Sequence, residues 1–309
     1  MRLFLLGCPR LEHLNRWKNY IEEDAIEIGW DVVHVPAKGP TVEDVLLEVK
    51  KFEPDIFMWS RTARHNPIGN YGDMLRRIED SGIVTVSHHM DLYFGVGPRC
   101  AQIGVDPWWS SQYVCTADGG HQKEFKEKGV NHIWCPPAIG SRVANNPEPR
   151  NKSKKGEVIF VGGYYAVAHK THRKQLLMWA SRRYDGNFKH YRNIWGQDLG
   201  KLYASDIAYV LGDSAISPNG YYWSDRIVNT LGRRGILSHP YVRGLNICRF
   251  TDETMIKYKW FDFESIHNRF VQMSAKEIEE MRDAGWTVVK ERHTFKNRLL
   301  DLQKQIGLA

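Results

Sequence analysis

Cysteine is scarce in this chain and never paired at close spacing. The five cysteines, Cys8, Cys100, Cys115, Cys135 and Cys248, are an odd number with no near neighbours. That argues against a disulfide framework or a cysteine zinc site and points to a reducing compartment, so a cytoplasmic location is expected. Long apolar runs are also missing, which excludes a bilayer-spanning helix. The opening MRLFLLGCPR lacks the extended apolar region and small-residue cleavage site of a signal peptide and reads as a first buried strand. There is no His-Glu-x-x-His pair and no Asp-x-Asp placed after a strand, so no metal is expected. A full Gly-x-Gly-x-x-Gly fingerprint is absent as well, which weighs against a dinucleotide-dependent oxidoreductase or epimerase. No internal repeat is present.

What remains is a chain of 309 residues, 42% hydrophobic and 26% charged, long enough for two domains. The net charge is +7, with 11 Trp, 14 Tyr and 12 Phe. Cations beside aromatic rings suit a polyanion, because the cations meet phosphates and the rings stack on bases; a mildly basic enzyme with solvated cations fits equally.

Apolar strands alternate with amphipathic helices along the first part. Strands are expected at Arg2 to Leu6, Trp30 to Val35, Asp55 to Trp59, Ile83 to Ser87, Gln112 to Thr116 and His132 to Cys135. Helices are expected at Leu14 to Ile28, Thr41 to Lys50, Asn70 to Asp80 and His121 to Lys128. Strands that are apolar throughout indicate a parallel sheet covered on both faces. Ligands bind beyond the carboxyl ends of such strands. The fourth strand runs into His88, His89, Met90 and Asp91, which makes Asp91 and His89 candidate bases and His88 a candidate acceptor contact. Trp108 and Trp109 are either an acceptor platform or core.

A polar stretch, SRVANNPEPRNKSKKG, reads as a linker. The expected division is an amino-terminal domain over 1–142, a linker over 143–156 and a carboxy-terminal domain over 157–309, whose terminal helix returns to the first domain. The second domain opens on a strand, Glu157 to Val161, followed by Gly162-Gly163, a turn that can set backbone N–H groups against phosphate. Further strands are expected at Tyr191 to Trp195, Ile207 to Leu211, Asn246 to Phe250 and Tyr258 to Trp260. Helices are expected at His169 to Tyr184, Glu264 to Met273, Ala275 to Lys290 and Thr294 to Gln305.

One stretch organises this half: YYWSDRIVNTLGRRGILSHP, Tyr221 to Pro240. Ile227, Val228 and Leu231 share a helical face, Ser224 is a plausible N-cap, and Gly232 and Gly235 close the helix. A helix start with Arg226 beside it is a ready diphosphate site. The alternative is an ordinary helix–glycine–strand junction.

Trp223, Ser224, Arg226, Leu231, Gly232, Arg233, Gly235, His239 and Pro240 resemble the sugar-nucleotide segment W-S-x-R-x-x-E-x-L-G-R-G-G-x-x-x-H-P of GT-B glycosyltransferases of the spore-maturation and phage-encoded type. Phe160, Val161, Gly162, Tyr164, Tyr165 and Arg173 similarly match that family's F-V-G-x-Y-Y and following arginine. Two positions depart: Asn229 stands where the family has a glutamate, and Arg234 replaces a glycine.

The resemblance implies an α/β fold of two Rossmann-like domains facing across a cleft, and a metal-independent hexosyltransferase with no prosthetic group. Its donor would be a UDP-sugar, UDP-glucose or similar. The donor would contact Gly162, Gly163, Tyr165, Arg173, Trp195, Ser224, Arg226, Asn229 and Thr230, with core packing an equal alternative for Trp195. Asp91, or else His89, would take the acceptor proton. The charge and Trp108-Trp109 suggest a hydroxylated base in phage DNA as acceptor. A nucleic-acid-binding protein with a degenerate donor site is the alternative, favoured by Asn229.

Overall fold

The structure, a computed structural model, describes residues 1–7, 20–60, 66–150, 157–163, 170–192, 194, 196–204, 209–215, 217 and 219–308. Cys8, the basic cluster at 152–155, Tyr164, Tyr165 and Trp195 lie outside the described residues. The chain divides into two compact units. One comprises Met1–Pro136 with Arg298–Ala309, and the other Pro137–Asn297.

The first unit carries a six-stranded sheet of β1 (Arg2–Gly7), β2 (Asp31–Pro36), β3 (Ile56–Ser60), β4 (Val84–His89), β5 (Tyr113–Thr116) and β6 (His132–Trp134). The order is β2-β1-β3-β4-β5-β6, with every pairing parallel. The register runs Leu3 to Val32 on one side and Leu3 to Ile56 on the other. Helices α1 (Tyr20–Glu27), α2 (Val42–Phe52) and α3 (Tyr71–Asp80) connect these strands. α2 starts at Thr41, whose side chain and that of Asp44 each hold the other's backbone N–H. It ends at Glu53, in the left-handed region at φ 46. Reciprocal capping satisfies donors that the first turn otherwise leaves without partners.

The core beneath these helices is built from Phe4, Leu6, Phe57, Trp59, Met74 and Ile78. It also takes in Trp108 and Trp109, only 1% and 3% exposed. Their rings stack on each other at 4.3 Å between centroids. Both sit on a 3-10 helix (Pro107–Ser110) that follows α4 (Gly97–Cys100) and precedes α5 (Gln122–Glu127). An acceptor platform at Trp108-Trp109 is therefore corrected to core packing, because neither indole face meets solvent.

The second unit carries β7 (Val158–Val161), β8 (Phe188–Tyr191), β9 (Tyr209–Leu211), β10 (Leu237–Pro240) and β11 (Ile256–Tyr258). Their order is β11-β10-β9-β7-β8, again all parallel. Val158, Phe160, Tyr209, Leu211 and Ile256 pack against Leu176 and Leu177 of α7 (Lys170–Tyr184) and Ile266 of α11 (Phe263–Gln272). Several expected elements differ, and the strand expected at Tyr191 to Trp195 lies earlier, at Phe188–Tyr191. Ser141–Asn145, read as linker, is helix α6. Ser141 and Ala144 are buried on one face, and the Trp286 indole N–H of α12 (Ala275–Arg292) donates to the Ala144 carbonyl at 2.6 Å.

Asn246 to Phe250, read as a strand, lies across the end of α10 (Arg243–Ile247) and a turn with Arg249 at φ 66. Gly244 allows this: a side chain there would begin 2.1 Å from the Tyr221 carbonyl oxygen. The sheet position goes to β11 instead.

Burial of Trp108 makes its truncation costly. Trp108→Ala is expected to lower unfolding free energy by about 3–5 kcal/mol in urea titration, the range for emptying a large aromatic site. An exposed platform residue would cost little.

Candidate functional site

In the second unit the carboxyl ends of β7, β8, β9 and β10 bring chemistry together. β7 ends at Gly162-Gly163, and β9 ends at Gly212-Asp213. Asp213 is fully buried and is shared by two arginines. Arg173, from α7, donates its Nε to Asp213 Oδ2 at 2.6 Å and an Nη to the Gly163 carbonyl at 2.7 Å. Arg226 pairs with Asp213 Oδ1 and donates from Nε and Nη2 to the Val161 carbonyl at 3.1 and 2.9 Å.

The Arg226 guanidinium lies 4.5 Å over the Phe160 ring. Gly162 adopts φ +147, and a Cβ there would meet Arg226 Nη2 at 2.8 Å. The glycine is needed both for the backbone angle and for the space. Two guanidinium groups on one carboxylate leave an excess of positive charge at the strand ends, the sign that favours an anion.

Several expectations are corrected in the Tyr221–Pro240 stretch. The helix α9 spans only Arg226–Leu231, and its N-cap position is Asp225, in helical geometry with no side-chain cap. Ser224 is therefore not the N-cap. Its Oγ accepts from the Arg226 N–H at 3.3 Å. A six-residue helix cannot present the capped, dipolar start that the sequence suggested for gripping a diphosphate, and Arg226, 7% exposed, turns inward to Asp213.

Thr230 is fully buried. The Asn229 amide donates to the Asp225 carbonyl at 3.0 Å, and its oxygen accepts from Arg233 at 3.1 Å. Asp213 escaped sequence reasoning. Its only signal is an aspartate directly past Gly212 at the end of an apolar strand, in a segment that read as a flexible loop.

In the first unit, His88 and His89 are neighbours on β4 and so face opposite sides of the sheet. His88 is buried beside Ser60, Nδ1 to Oγ at 3.4 Å. Burial, then the neighbouring His89, pushes its pKa down to about 4. It stays uncharged within the sheet end rather than presenting itself to an acceptor.

His89 meets the Tyr93 hydroxyl through Nδ1 at 2.6 Å, and its Nε2 stands 3.8 Å from Asp91 Oδ2. Asp91 is half exposed and ion-paired with Arg99 at 3.0 Å. The two expected bases thus form one group. Close by, the buried Asp118 receives the backbone N–H groups of Tyr93 and Phe94 at 2.9–3.0 Å, fixing the loop that follows Asp91. Among the described residues no group of three or more His, Cys, Asp or Glu is placed to hold a metal ion. No helix among them is long and apolar enough to cross a membrane.

Two all-parallel sheets in these orders make an α/β fold, and solved glycosyltransferases share it. Among solved structures, the chain is similar to a glycosyltransferase from Rickettsia africae, at 8% identity and TM-score 0.65, covering 99% of this chain and 98% of that one. It is similar to sucrose-phosphate synthase from Thermosynechococcus elongatus, at 9% identity and TM-score 0.63, covering 100% and 99%. HepE from Anabaena, in complex with UDP-glucose, matches at 9% identity and TM-score 0.61 over 99% of both chains. At these identities the likeness is one of fold. No protein-family model matches the chain, and no curated protein matches it in sequence.

Buried neutral histidines set an acid limit on the fold. Burial pushes His239 down to about 3, partly opposed by its bond to the Pro240 carbonyl. His132 is likewise pushed to about 3. Between about 3 and the ordinary value of 6.5 the unfolded chain binds more protons than the folded one, so stability falls as pH falls through that window. Asp118, raised to about 6 mainly by burial, acts in the opposite sense between 3.8 and 6. His239→Asn is expected to reduce the loss of stability between pH 6.5 and 4.5 in urea titrations at both pH values. An unchanged loss would mean His239 is not held neutral.

Proposed function

We propose that the protein is a metal-independent glycosyltransferase using a nucleotide-sugar donor, a UDP-sugar such as UDP-glucose. The observation that carries this reading is the Arg173–Asp213–Arg226 cluster at the carboxyl ends of β7 and β9, beside Gly162-Gly163. An excess cation there, with guanidinium N–H groups fixed by Asp213, favours the charge that grows on a departing diphosphate. The GT-B fold and the segment resembling spore-maturation and phage-encoded enzymes support the same assignment, as does the UDP-glucose bound by HepE.

We assign donor binding to the second unit and acceptor deprotonation to Asp91 with His89 in the first. The bond between the anomeric carbon and diphosphate oxygen breaks, with its electrons leaving on the diphosphate. The acceptor oxygen bonds to that carbon, and its proton passes to the base. A hydroxylated DNA base as acceptor loses the part of its support that came from Trp108 and Trp109, since both lie in the core. A second reading, a nucleic-acid-binding protein without donor activity, is favoured by Asn229. Its amide is already engaged with Asp225 and Arg233.

Calorimetry separates the two. UDP and UDP-glucose are expected to bind, and Arg226→Gln to weaken binding by roughly tenfold or more, as for loss of charged hydrogen bonds. Silence with both nucleotides would favour the second reading. Asp91→Asn is expected to slow transfer by roughly a hundredfold or more while donor affinity is unchanged, the scale of a lost general base. An unaltered rate would remove Asp91 from the mechanism.

A further inference from the structure

α7 carries basic residues at both ends. Its sequence KTHRKQLLMWASRRY contains Lys170, Arg173, Lys174, Arg182 and Arg183 and no acidic residue. Arg173 faces inward to Asp213. On the outer face Lys174, Gln175, Met178 and Arg182 are exposed and recur at helical spacing, so they form one stripe.

Beside that stripe lies an open groove of about 610 Å³, walled by Trp179, Phe261 and Phe263 and edged by Gln175, Met178 and Arg182. Glu264, also at the groove, is occupied. It accepts the Trp179 indole N–H at 2.6 Å and lies 3.6 Å from Arg183. Arg182 and Arg183 outnumber Glu264, the one carboxylate among the lining residues, so the groove carries an excess of positive charge.

Phe261 adds an independent observation. Its backbone lies in the left-handed region, φ 67, which a bulky side chain resists. Its ring packs edge to face with His172 at 5.4 Å and Phe263 at 6.3 Å between centroids, yet the residue stays 43% exposed. A ring anchored by neighbouring rings and open on its remaining surface is what a stacking platform requires.

We propose that this groove binds a nucleotide unit of single-stranded nucleic acid, a base stacking on Phe261 and Trp179 and the flanking phosphates meeting Lys174 and Arg182. Interleaved rings and cations of this kind track a single strand with little sequence preference. The net charge of +7 supports an anionic chain over a neutral glycan or an acid-depleted peptide. The site is distinct from the donor cluster: Arg173 faces Asp213, whereas the groove lies on the outer face of the same helix. It does not depend on glycosyl transfer.

Fluorescence anisotropy with labelled dT12 at low salt tests this on the full chain, and substitutions confined to the groove separate its contribution from that of the donor cluster. Binding is expected, with affinity falling steeply as salt rises. The exposed double variant K174E/R182E should bind at least roughly tenfold more weakly while keeping its melting temperature, and Phe261→Ala roughly fivefold more weakly. Competition by UMP at the same groove identifies the nucleotide unit as the element recognised, and tighter binding of dT12 than UMP identifies the chain as the ligand. Absence of dT12 binding at low salt, or binding unchanged in K174E/R182E, overturns the proposal. So does loss of self-association in that variant without any change in dT12 affinity, which would make the face an interface between copies.

Discussion

The second unit depends on one buried carboxylate. Asp213 has no solvent contact, and an ion so placed is tolerated only when paired and hydrogen-bonded. Arg173 and Arg226 meet that requirement together and are themselves fixed by it. Burial disfavours the Arg226 charge, but Asp213, with Tyr203 and Asp225, more than offsets this, so its pKa goes up. The pair ties three elements to one point: α7 through Arg173, the end of β9 through Asp213, and the start of α9 through Arg226. The Val161 and Gly163 carbonyls complete the set of acceptors. A glycine at 162 is the geometric consequence, since the guanidinium occupies the space a side chain would take.

A shared carboxylate also decides what the site can do. One isolated arginine would be a mobile surface cation. Two guanidinium groups locked onto a single carboxylate are pre-oriented and leave a net positive charge in a buried region. Neutral neighbours reinforce this. Tyr258 donates to the Gly212 carbonyl, and burial drives its pKa well up, so it adds no competing negative charge.

The first unit uses alternation along β4 to separate two roles. His88 turns to Ser60 and is kept neutral, while His89, on the opposite face, meets Tyr93 and Asp91. Asp118 holds the next loop through two backbone N–H groups, so the segment after Asp91 is fixed by a buried carboxylate about 27 residues further along the chain. Trp108 and Trp109 serve this arrangement from beneath. His89 packs 5.9 Å from the Trp108 ring, which makes the indoles a support for the loop and not a surface for a ligand.

Much of the fold was legible in the residues, because continuous apolar strands such as RLFLLG can only be buried on both faces. The alternation of strands and helices therefore emerged with the correct class, and the helix starts expected at Thr41 and Ala275 are ones the structure contains. What sequence could not decide was whatever depends on a partner distant in the chain. Asn246 to Phe250 is apolar enough for a strand, but the sheet edge was taken by Ile256–Tyr258, and Gly244 let a helix pack against Tyr221. Arg226 looked like a free cation at a helix start until Asp213, thirteen residues earlier, claimed it. Local pattern determined which segments would be buried. Only the tertiary structure determined which charges would meet there, because pairing a buried ion depends on what other strands bring to the same point.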